Sequence, residues 1–290
     1  MKKPNFFIIG APKCGTTSLA SWLSEHPNVY MSSVKEPDYF YTTEKIKSLK
    51  EYEDLFKKVE SKHVAVGEAS VRYVYSQEAI ASILKYTNKK AKFILMLRNP
   101  IEMAHSLHAQ RVYSLNENVA NFEKAWFLQN EDETHRKDLP KNCYTPELNN
   151  YGPICKLGEK LEKILEIISP NQCKFILLED LSSNPRKIWI ELMEFLEIED
   201  DGRNEFSARN KSKKARSQVI QKLLRKLGSM KRDLGIERSI GLLDPLVQWN
   251  RIEKPRPPLS DSMRDELRVY FKDDIRKLES ILNRDLSYWE

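Results

Sequence analysis

The chain has 290 residues, of which 31% are charged and 40% are hydrophobic, and its formal net charge is +6. This composition is typical of a soluble globular protein, and no apolar run approaches the roughly 20 residues of a membrane-spanning helix. The dispersed cysteines exclude a dense disulfide framework and the close pairs of a zinc site, and they predict reduced thiols in a cytoplasmic protein: Cys14, Cys143, Cys155 and Cys173.

The first predicted strand, Phe6–Ile9, leads into a tight loop that contains two glycines and Lys13. A predicted amphipathic helix, Thr16–Glu25, follows the loop directly. Backbone N–H groups at such a helix start form a socket for a phosphate-like anion, together with Lys13 and the threonine hydroxyls. The alternative is a strand-to-helix turn that binds nothing.

The glycine spacing of this loop, from Gly10 to Gly15, matches that of nucleotide phosphate loops, but the lysine does not. In an NTPase the lysine follows the second glycine, whereas here it lies inside the loop at position 13. An NTPase also needs a strand-end acid to organise Mg²⁺. The predicted strand Phe93–Leu97 ends instead in Arg98, although Glu179-Asp180 after another strand keeps a kinase or NTPase as an alternative.

Short apolar runs alternate with helical patterns along most of the chain. The predicted strands are Phe6–Ile9, Val29–Met31, Val64–Val66, Phe93–Leu97 and Phe175–Leu178. The predicted helices are Thr16–Glu25, Gln77–Tyr86, Pro100–Arg111, Lys156–Ile168 and Pro185–Leu196. This alternation predicts an α/β fold with a central parallel β-sheet flanked by helices, in one domain over residues 1–290. The C-terminal part is predicted to be helical, with Ser260 as the N-cap and an apolar face at Leu267, Phe271, Ile275, Leu278 and Leu282.

A second anion-binding pattern follows the fourth predicted strand. Asn99 is a suitable N-cap, Pro100 suits the first helical position, and Glu102 completes a pattern like a capping box. If Ser106 faces the strand end, Arg98 and Ser106 can hold one phosphate, the arginine through its planar donor fork. The alternative is that Arg98 pairs with a local acid.

Charge is distributed unevenly. Eleven lysines and arginines but one acid occur between Arg203 and Arg232, whereas the segment after Tyr113 is rich in acids. A basic stretch of this kind is either a solvated helix face or a binding surface for an anion, which leaves a non-catalytic nucleic-acid-binding protein as a further alternative.

The two anion motifs together resemble those of the sulfotransferases that use 3′-phosphoadenosine 5′-phosphosulfate (PAPS), most closely the bacterial and glycan-type branch. Residues 12–19 resemble the 5′-phosphosulfate loop, and Arg98-Asn99-Pro100 with Ser106 resembles the 3′-phosphate motif. Further similar segments are residues 35–40, 67–70, 179–181, 195–196, 210–217 and 274–289. The chain departs from the family's motifs at two places. One is Tyr151-Gly152-Pro153 on the adenine side, and the other is Ala69, where many glycan enzymes have a lysine.

The resemblance implies a P-loop-like nucleotide-binding fold and a two-phosphate cofactor site that needs no metal. Lys13 would lie at the bridging oxygen of PAPS and balance the charge on the leaving group. The residues implied to bind the 5′ side are Lys13, Cys14, Gly15, Thr16, Thr17 and Ser18. Those implied to bind the 3′-phosphate are Arg98, Ser106, Asn210, Lys211, Ser212, Lys213, Lys214 and Arg216.

The catalytic base is predicted among a few side chains. Glu36 is the first candidate, because its motif resembles the segment that supplies a catalytic glutamate in glycan sulfotransferases, and a carboxylate suits this role. The alternative is an ion pair between Glu36 and Lys35. Glu68 is the second candidate, and His105 and His108 are more distant ones.

The acceptor is predicted to lie against a lid formed by residues 113–150. Candidate acceptor contacts are Glu36, Tyr39, Phe40, Tyr113 and Trp126. The acids of the lid disfavour a highly sulfated polysaccharide and favour a neutral sugar, a lipid or a small cationic metabolite. The sequence therefore predicts sulfuryl transfer from PAPS to a hydroxyl or amine of a small-molecule, sugar or lipid acceptor, with no nucleic-acid partner.

Overall fold

The computed structural model describes residues 3–42, 45–129, 136, 138–207, 213–233 and 243–290. Its main sheet has five strands: β1 (Phe6–Gly10), β2 (Val29–Met31), β3 (Ala65–Ala69), β4 (Lys92–Leu97) and β5 (Cys173–Leu177). Their order is β2-β3-β1-β4-β5, and every neighbouring pair is parallel. The predicted α/β fold with a central parallel sheet is confirmed.

Helices connect and follow these strands. The first group is α1 (Thr16–Ser24), α2 (Leu49–Asp54), α3 (Gln77–Tyr86), α4 (Pro100–Tyr113), α5 (Phe122–Phe127) and α6 (Tyr151–Cys155). The second group is α7 (Leu157–Leu165), α8 (Leu178–Ser183), α9 (Pro185–Leu196), α10 (Gln218–Asp233), α11 (Asp244–Asn250) and α12 (Asp261–Leu282). A short antiparallel pair joins β6 (Lys213–Ala215) to β7 (Arg251–Glu253).

By contacts between residues, the chain divides into two compact units. Unit 1 consists of Met1–Met103, Lys156–Arg209 and Tyr270–Glu290, and it contains the five-stranded sheet. Unit 2 consists of Ala104–Cys155 and Asn210–Val269, and it contains the β6–β7 pair. The single domain over residues 1–290 stays a prediction.

The centre of the sheet is apolar because parallel strands are covered on both faces. All five residues of β1 are buried, and the ring of Phe7 stacks on that of Phe93 in β4 at 6.1 Å between centroids. Gly67 of β3 leaves room for the ring of Phe6, which would lie 2.3 Å from an added Cβ. Because the strands are parallel, the carboxyl ends of β1, β3, β4 and β5 meet at one edge of the sheet. Ligands bind at this edge in open α/β sheets.

Several element bounds differ from the sequence prediction. The third strand runs over Ala65–Ala69 rather than Val64–Val66, which places Glu68 inside the strand. Helix α7 begins at Leu157, where the carboxylate of Asp274 accepts hydrogen bonds from the N–H groups of Gly158 and Glu159, each at 2.9 Å. A cap supplied from over 100 residues away leaves no local sequence signal.

The C-terminal helix confirms its predicted cap and apolar face. Ser260 Oγ accepts a hydrogen bond from the N–H of Met263 at 3.2 Å, and Leu267, Phe271 and Ile275 are fully buried. The predicted irregular lid contains α5 and a 3₁₀ turn at Pro146–Asn149. In the part of the chain that the structure describes, no helix combines the length and apolarity needed to cross a bilayer.

Candidate active site

The loop between β1 and α1 leads into the N-terminal end of α1. Among the described residues, no side chain caps this helix end. Gly15 occupies the N-cap position with φ +91°, and an added Cβ would lie 2.8 Å from Leu178. Its carbonyl accepts hydrogen bonds from Ser18 and Leu19. The first N–H groups of α1 have no acceptor within the helix, so their dipoles favour an anion at this position.

Side chains of several kinds surround this helix end. Lys13, with φ +68°, and Thr17 are partly exposed, whereas Thr16 and Ser18 are buried. The loop thus offers a cation, hydroxyl groups and backbone donors within six residues. This combination fits a phosphate or phosphosulfate group.

The side chain of Cys14 is fully buried in the loop. Its thiol lies 3.5 Å from the carbonyl oxygen of Pro12 and 3.8 Å from the sulfur of Met103. Burial raises the pKa of Cys14 to about 12, so the thiol stays protonated. Its N–H donates to the carbonyl of Ala11 at 3.3 Å. These contacts give Cys14 a packing role, and its contact with a cofactor stays a prediction.

Arg98 joins the end of β4 to the anion loop. Its Nη1 donates to the carbonyl oxygen of Lys13 at 3.2 Å, and its Nη2 lies 3.4 Å from a carboxylate oxygen of Glu102. The local pairing considered from the sequence is therefore present. Because Glu102 is partly exposed and the pair is one of the i,i+4 type, it contributes only about 0.3–0.5 kcal/mol. A phosphate can displace it at little cost.

Asn99 caps helix α4 as the sequence predicts. Its Oδ1 accepts a hydrogen bond from the N–H of Ile101 at 2.9 Å, and its Nδ2 donates to the carbonyl of Trp289 at 3.1 Å. The indole of Trp289 donates in turn to Glu179 at 2.8 Å. The C-terminal segment thus holds residues at the ends of both β4 and β5, a contact that no local motif indicated.

The acids after β5 are engaged by the same segment. Glu179 also accepts from the hydroxyl of Tyr288 at 2.9 Å, and Asp180 pairs with Arg284. A carboxylate that is paired with a guanidinium is a poor metal ligand. These contacts weigh against the NTPase alternative, which needs a strand-end acid for Mg²⁺.

The remaining predicted 3′-phosphate residues belong to unit 2 or fall outside the described residues. Ser106 is buried on α4 in unit 2. Lys213 begins β6, Lys214 is exposed, and the guanidinium of Arg216 lies over the ring of Trp249 at 4.8 Å. Residues 210–212 lie outside the described residues. That all of these bind one phosphate with Arg98 stays a prediction.

Glu36 lies in the segment of residues 32–42 that follows β2 at the carboxyl edge of the sheet, and we call this segment the Glu36 turn. Glu36 and Asp38 both have positive φ, at +49° and +55°. The ammonium of Lys45 donates to the carbonyl oxygen of Glu36 at 2.7 Å. The carboxylate is 35% exposed and lies 3.9 Å from the Lys35 ammonium. The alternative ion pair therefore exists, but an exposed pair at this distance leaves the carboxylate accessible to an acceptor.

Glu68 lies in β3 and is completely buried. Its carboxylate accepts three hydrogen bonds: from Tyr52 at 2.9 Å, Tyr73 at 3.0 Å and Ser70 at 2.8 Å. Burial raises the pKa of Glu68 to about 7, although the three hydrogen bonds act in the opposite direction. A group without exposed surface has no direct path to an acceptor, so the second candidate base is better placed to orient other residues.

A chain of contacts connects Glu68 to the turn that carries Glu36. Ser70 Oγ donates to Glu68 and accepts from the N–H of Asp38 at 3.0 Å. The carboxylate of Asp38 is held by Arg72 at 3.1 Å and by Lys45 at 3.2 Å. No local motif indicates this network, because the links from Asp38 to Ser70 and Arg72 join positions 32 and 34 residues apart.

We expect Glu68 to make folding stability depend on pH. Its folded-state pKa of about 7 exceeds its ordinary value of 4.5, so the folded state holds this proton more tightly. The stabilising effect is fully present below pH 4.5 and is lost as the pH rises through about 7. The difference in unfolding free energy between the native chain and Glu68→Gln should therefore change by about 3 kcal/mol across this range. Urea titrations at several pH values measure this change, and a difference independent of pH would contradict the assignment.

Two predicted acceptor contacts pack inside an aromatic cluster. The ring of Tyr39 stacks on Tyr52 at 4.8 Å, and that of Phe40 meets Tyr52 edge-on at 5.1 Å. Both rings are partly buried, so each retains some exposed surface. Their contact with an acceptor stays a prediction beside this packing role.

In unit 2, the histidines of α4 occupy structural positions. The Nε2 atom of His108 lies 2.9 Å from the carbonyl of Val119, and burial lowers the pKa of His108. The ring of His105 packs 5.2 Å from Phe122, and Trp126 is also buried. Tyr113, the other predicted acceptor contact of this unit, is partly exposed.

The acidity of the predicted lid is smaller than its composition suggests. Glu117 is buried, pairs with Arg136 at 2.8 Å and accepts from Tyr151 at 2.7 Å. Glu123 accepts from the N–H of Ser260. Asp138 also pairs with Arg136 at 2.5 Å, Glu147 is partly exposed, and the acids at positions 131–133 lie outside the described residues. Because Glu117 is neutralised internally, the charge argument against a sulfated acceptor loses one of its supports.

Comparisons with known proteins agree on one family. The family model described as "Sulfotransferase domain" matches residues 3–236. Carbohydrate sulfotransferase 15 of Mus musculus is 25% identical over 254 residues, which cover 67% of this chain and 44% of the relative. Membrane-associated sulfotransferase kil1 of Dictyostelium discoideum is 23% identical over an alignment of 356 residues, gaps included. The alignment covers 98% of this chain and 66% of the relative. The chain thus spans less than half of the first relative and about two thirds of the second.

Solved structures share the fold. A sulfotransferase from Alicyclobacillus acidocaldarius superposes with a TM-score of 0.74 at 24% identity, covering 100% of this chain and 99% of the other. Mouse sulfotransferase SULT7A1, solved in complex with PAP, gives a TM-score of 0.50 at 13% identity, covering 95% and 85%. At these identities the likeness shows the fold alone.

Proposed function

The chain belongs to the sulfotransferase family, and on that premise we propose that it transfers a sulfuryl group from PAPS to an acceptor hydroxyl or amine. The second product is adenosine 3′,5′-bisphosphate. The observation that carries the proposal is the direct bond from Arg98 to the carbonyl of Lys13. It brings the cation of one anion motif next to the backbone of the other, which suits a ligand that carries two separate phosphates.

The residues present fit such a ligand. The uncapped start of α1, Lys13 and the hydroxyls of Thr16 and Thr17 would hold the 5′-phosphosulfate end. Arg98 would hold the 3′-phosphate, helped by Ser106 and the residues from Asn210 to Arg216. When bound, PAPS supplies a sulfuryl group that is activated by its phosphate leaving group.

Lys13 and Glu36 would divide the catalytic work. The Lys13 ammonium would stabilise the negative charge that develops on the leaving oxygen, a contribution that grows toward the transition state. Glu36 would accept the proton that the acceptor loses as its oxygen or nitrogen bonds to sulfur. The main-chain bond from Lys45 and the network through Asp38 hold the Glu36 turn in place.

We assign Glu68 a positioning role. Its three hydrogen-bond donors include Ser70, whose oxygen accepts from Asp38 in the Glu36 turn. A carboxylate at this position fixes the direction of the Ser70 hydroxyl, which leaves the Ser70 lone pairs for Asp38. Glu68 would thereby influence turnover through the turn, without touching the acceptor.

For the acceptor, we propose a sugar. The matching relatives include an enzyme named as a carbohydrate sulfotransferase, and the internal neutralisation of Glu117 removes part of the argument against anionic glycans. A lipid or small-molecule acceptor remains compatible with the same chemistry.

Because none of the four cysteines forms a disulfide, we further propose that the enzyme works in the reducing cytoplasm.

Transfer of radiolabel from PAPS to a panel of mono- and oligosaccharides tests the function. We expect labelled product in the presence of EDTA, because the proposed site uses Lys13 and Arg98 rather than a metal to balance charge. The Lys13→Ala variant should lose about 100-fold or more in rate, the usual effect of removing a donor aimed at developing charge. Label transfer that proceeds equally well without Lys13 would contradict the mechanism.

A further inference from the structure

The outer side of α10 exposes apolar side chains where a helix on a protein surface usually carries polar ones. Val219 is 77% exposed and Leu223 is 50% exposed, and the lysines at positions 222 and 226 are exposed beside them. These four residues recur at i, i+3, i+4 and i+7, so they share one face of the helix. The result is a combined apolar and basic stripe.

The opposite side of α10 is firmly held within unit 2. Gln221 donates to the carbonyl of Tyr113 at 3.1 Å, and Arg225 donates to the carbonyl of Ser114 at 3.1 Å and to Asn116 at 3.0 Å. Arg225 also bonds the carbonyls of Leu115 and Asn142. These contacts fix the rotation of the helix about its axis. Val219 and Leu223 are therefore held outward rather than free to turn toward the interior.

Helix α11 packs beside α10 and exposes apolar side chains of its own. Asn250 is buried and connects the two helices, because it accepts from the N–H of Ser217 at 2.8 Å and donates to Gln221 at 2.9 Å. Three more large apolar side chains are exposed at and before α11: Leu243, Val247 and Trp249. We call the α10 stripe of Val219, Lys222, Leu223 and Lys226 the basic apolar face.

The charge of this segment is strongly positive. Among residues of 213–233 and 243–254 whose side chains the structure describes, the exposed acids are Asp244 and Glu253. The exposed cations outnumber them three to one: Lys214, Arg216, Lys222, Lys226, Arg251 and Lys254. The basic apolar face thus combines attraction for anions with apolar surface that water solvates poorly.

We propose that the basic apolar face docks on a lipid bilayer that contains anionic headgroups. Lysines that flank an outward valine and leucine on one helix face are a combination that suits a membrane interface, where the apolar groups enter the headgroup region and the cations remain outside it. A nucleic acid would use only the cations and would leave Val219 and Leu223 in water. The inference is independent of the proposed function, since it concerns where the protein acts rather than its reaction.

Co-flotation with vesicles tests this proposal. We expect the native protein to float with vesicles of phosphatidylcholine and phosphatidylglycerol and not with phosphatidylcholine alone. The Lys222→Gln/Lys226→Gln variant should bind about thirty-fold more weakly, because each basic residue near an anionic surface strengthens binding about five-fold. The Val219→Ser/Leu223→Ser variant should bind these vesicles about tenfold or more weakly, because the apolar contribution to binding is removed. Lys214 and Arg216 stay unchanged, since they are proposed cofactor ligands.

The matched control is Val269→Ser, which removes an exposed valine outside the face and should bind vesicles like the native protein. Unchanged circular dichroism spectra and thermal unfolding of all variants show that they remain folded. The proposal is overturned if native protein ignores anionic vesicles, or if the Val219→Ser/Leu223→Ser variant binds them fully, which would leave a purely electrostatic surface. A native dimer that this same variant dissociates would overturn it too, because the face would then be a protein interface.

Discussion

Turnover of the Glu36→Gln variant is expected to fall by about 100- to 10,000-fold, the range that a positioned general base contributes. Glutamine has nearly the same size as glutamate and can keep the turn, but it cannot take the acceptor's proton. The partly exposed Glu36 carboxylate lies outside both phosphate motifs. Affinity for adenosine 3′,5′-bisphosphate should therefore change by no more than about twofold, because only the chemical step loses a contribution.

Calorimetry and a single-turnover assay separate these two effects. The matched control is Glu60→Gln, which makes the same change at an exposed glutamate paired with Lys62 and should leave both quantities unchanged. If Glu36→Gln turns over at a near-normal rate, another group serves as the base, and the assignment of Glu36 is wrong. A parallel loss of nucleotide affinity would instead point to a disturbed fold.

Removal of the Arg98 guanidinium is expected to weaken binding of adenosine 3′,5′-bisphosphate by about 100-fold or more, because truncating a charged hydrogen-bonding partner costs several kcal/mol. The Arg98→Ala variant should fold, since its partners are one main-chain carbonyl and one partly exposed carboxylate. Arg98→Lys should recover part of the affinity, because lysine keeps the charge but lacks the planar fork.

Titration calorimetry of the variants measures the effect. Arg186→Ala is the matched control, because Arg186 is a partly exposed arginine of the same unit that pairs with Asp200. It should bind the nucleotide like the native protein. Native affinity in Arg98→Ala would show that the 3′-phosphate is held elsewhere, and the two-motif site would then be wrong.

The local patterns of the sequence predicted the elements that position the site. Strand, loop and helix around Lys13 follow from an apolar run, two glycines and a helical period, and the Asn99 cap follows from side-chain chemistry at a helix start. Such signals lie within about ten residues of one another. They depend on backbone propensity and capping, which act locally.

Most contacts that the sequence did not reveal join residues that are far apart in the chain. Glu68 looked like a second base, because nothing in its neighbours indicates that Tyr52 and Tyr73 enclose it. Glu117 looked like a surface acid until Arg136 was found beside it. Burial and pairing are decided by tertiary packing, so the electrostatic role of a carboxylate cannot be derived from its local sequence alone.

The central claim is a metal-independent site for a nucleotide with two separate phosphates. Titration calorimetry of the native chain with adenosine 3′,5′-bisphosphate in EDTA tests it most directly, alongside a titration with ATP and Mg²⁺. We predict tight binding of the bisphosphate in EDTA and much weaker binding of ATP, with or without Mg²⁺. Absence of bisphosphate binding together with normal binding of ATP and Mg²⁺ would contradict the account and favour a kinase or NTPase.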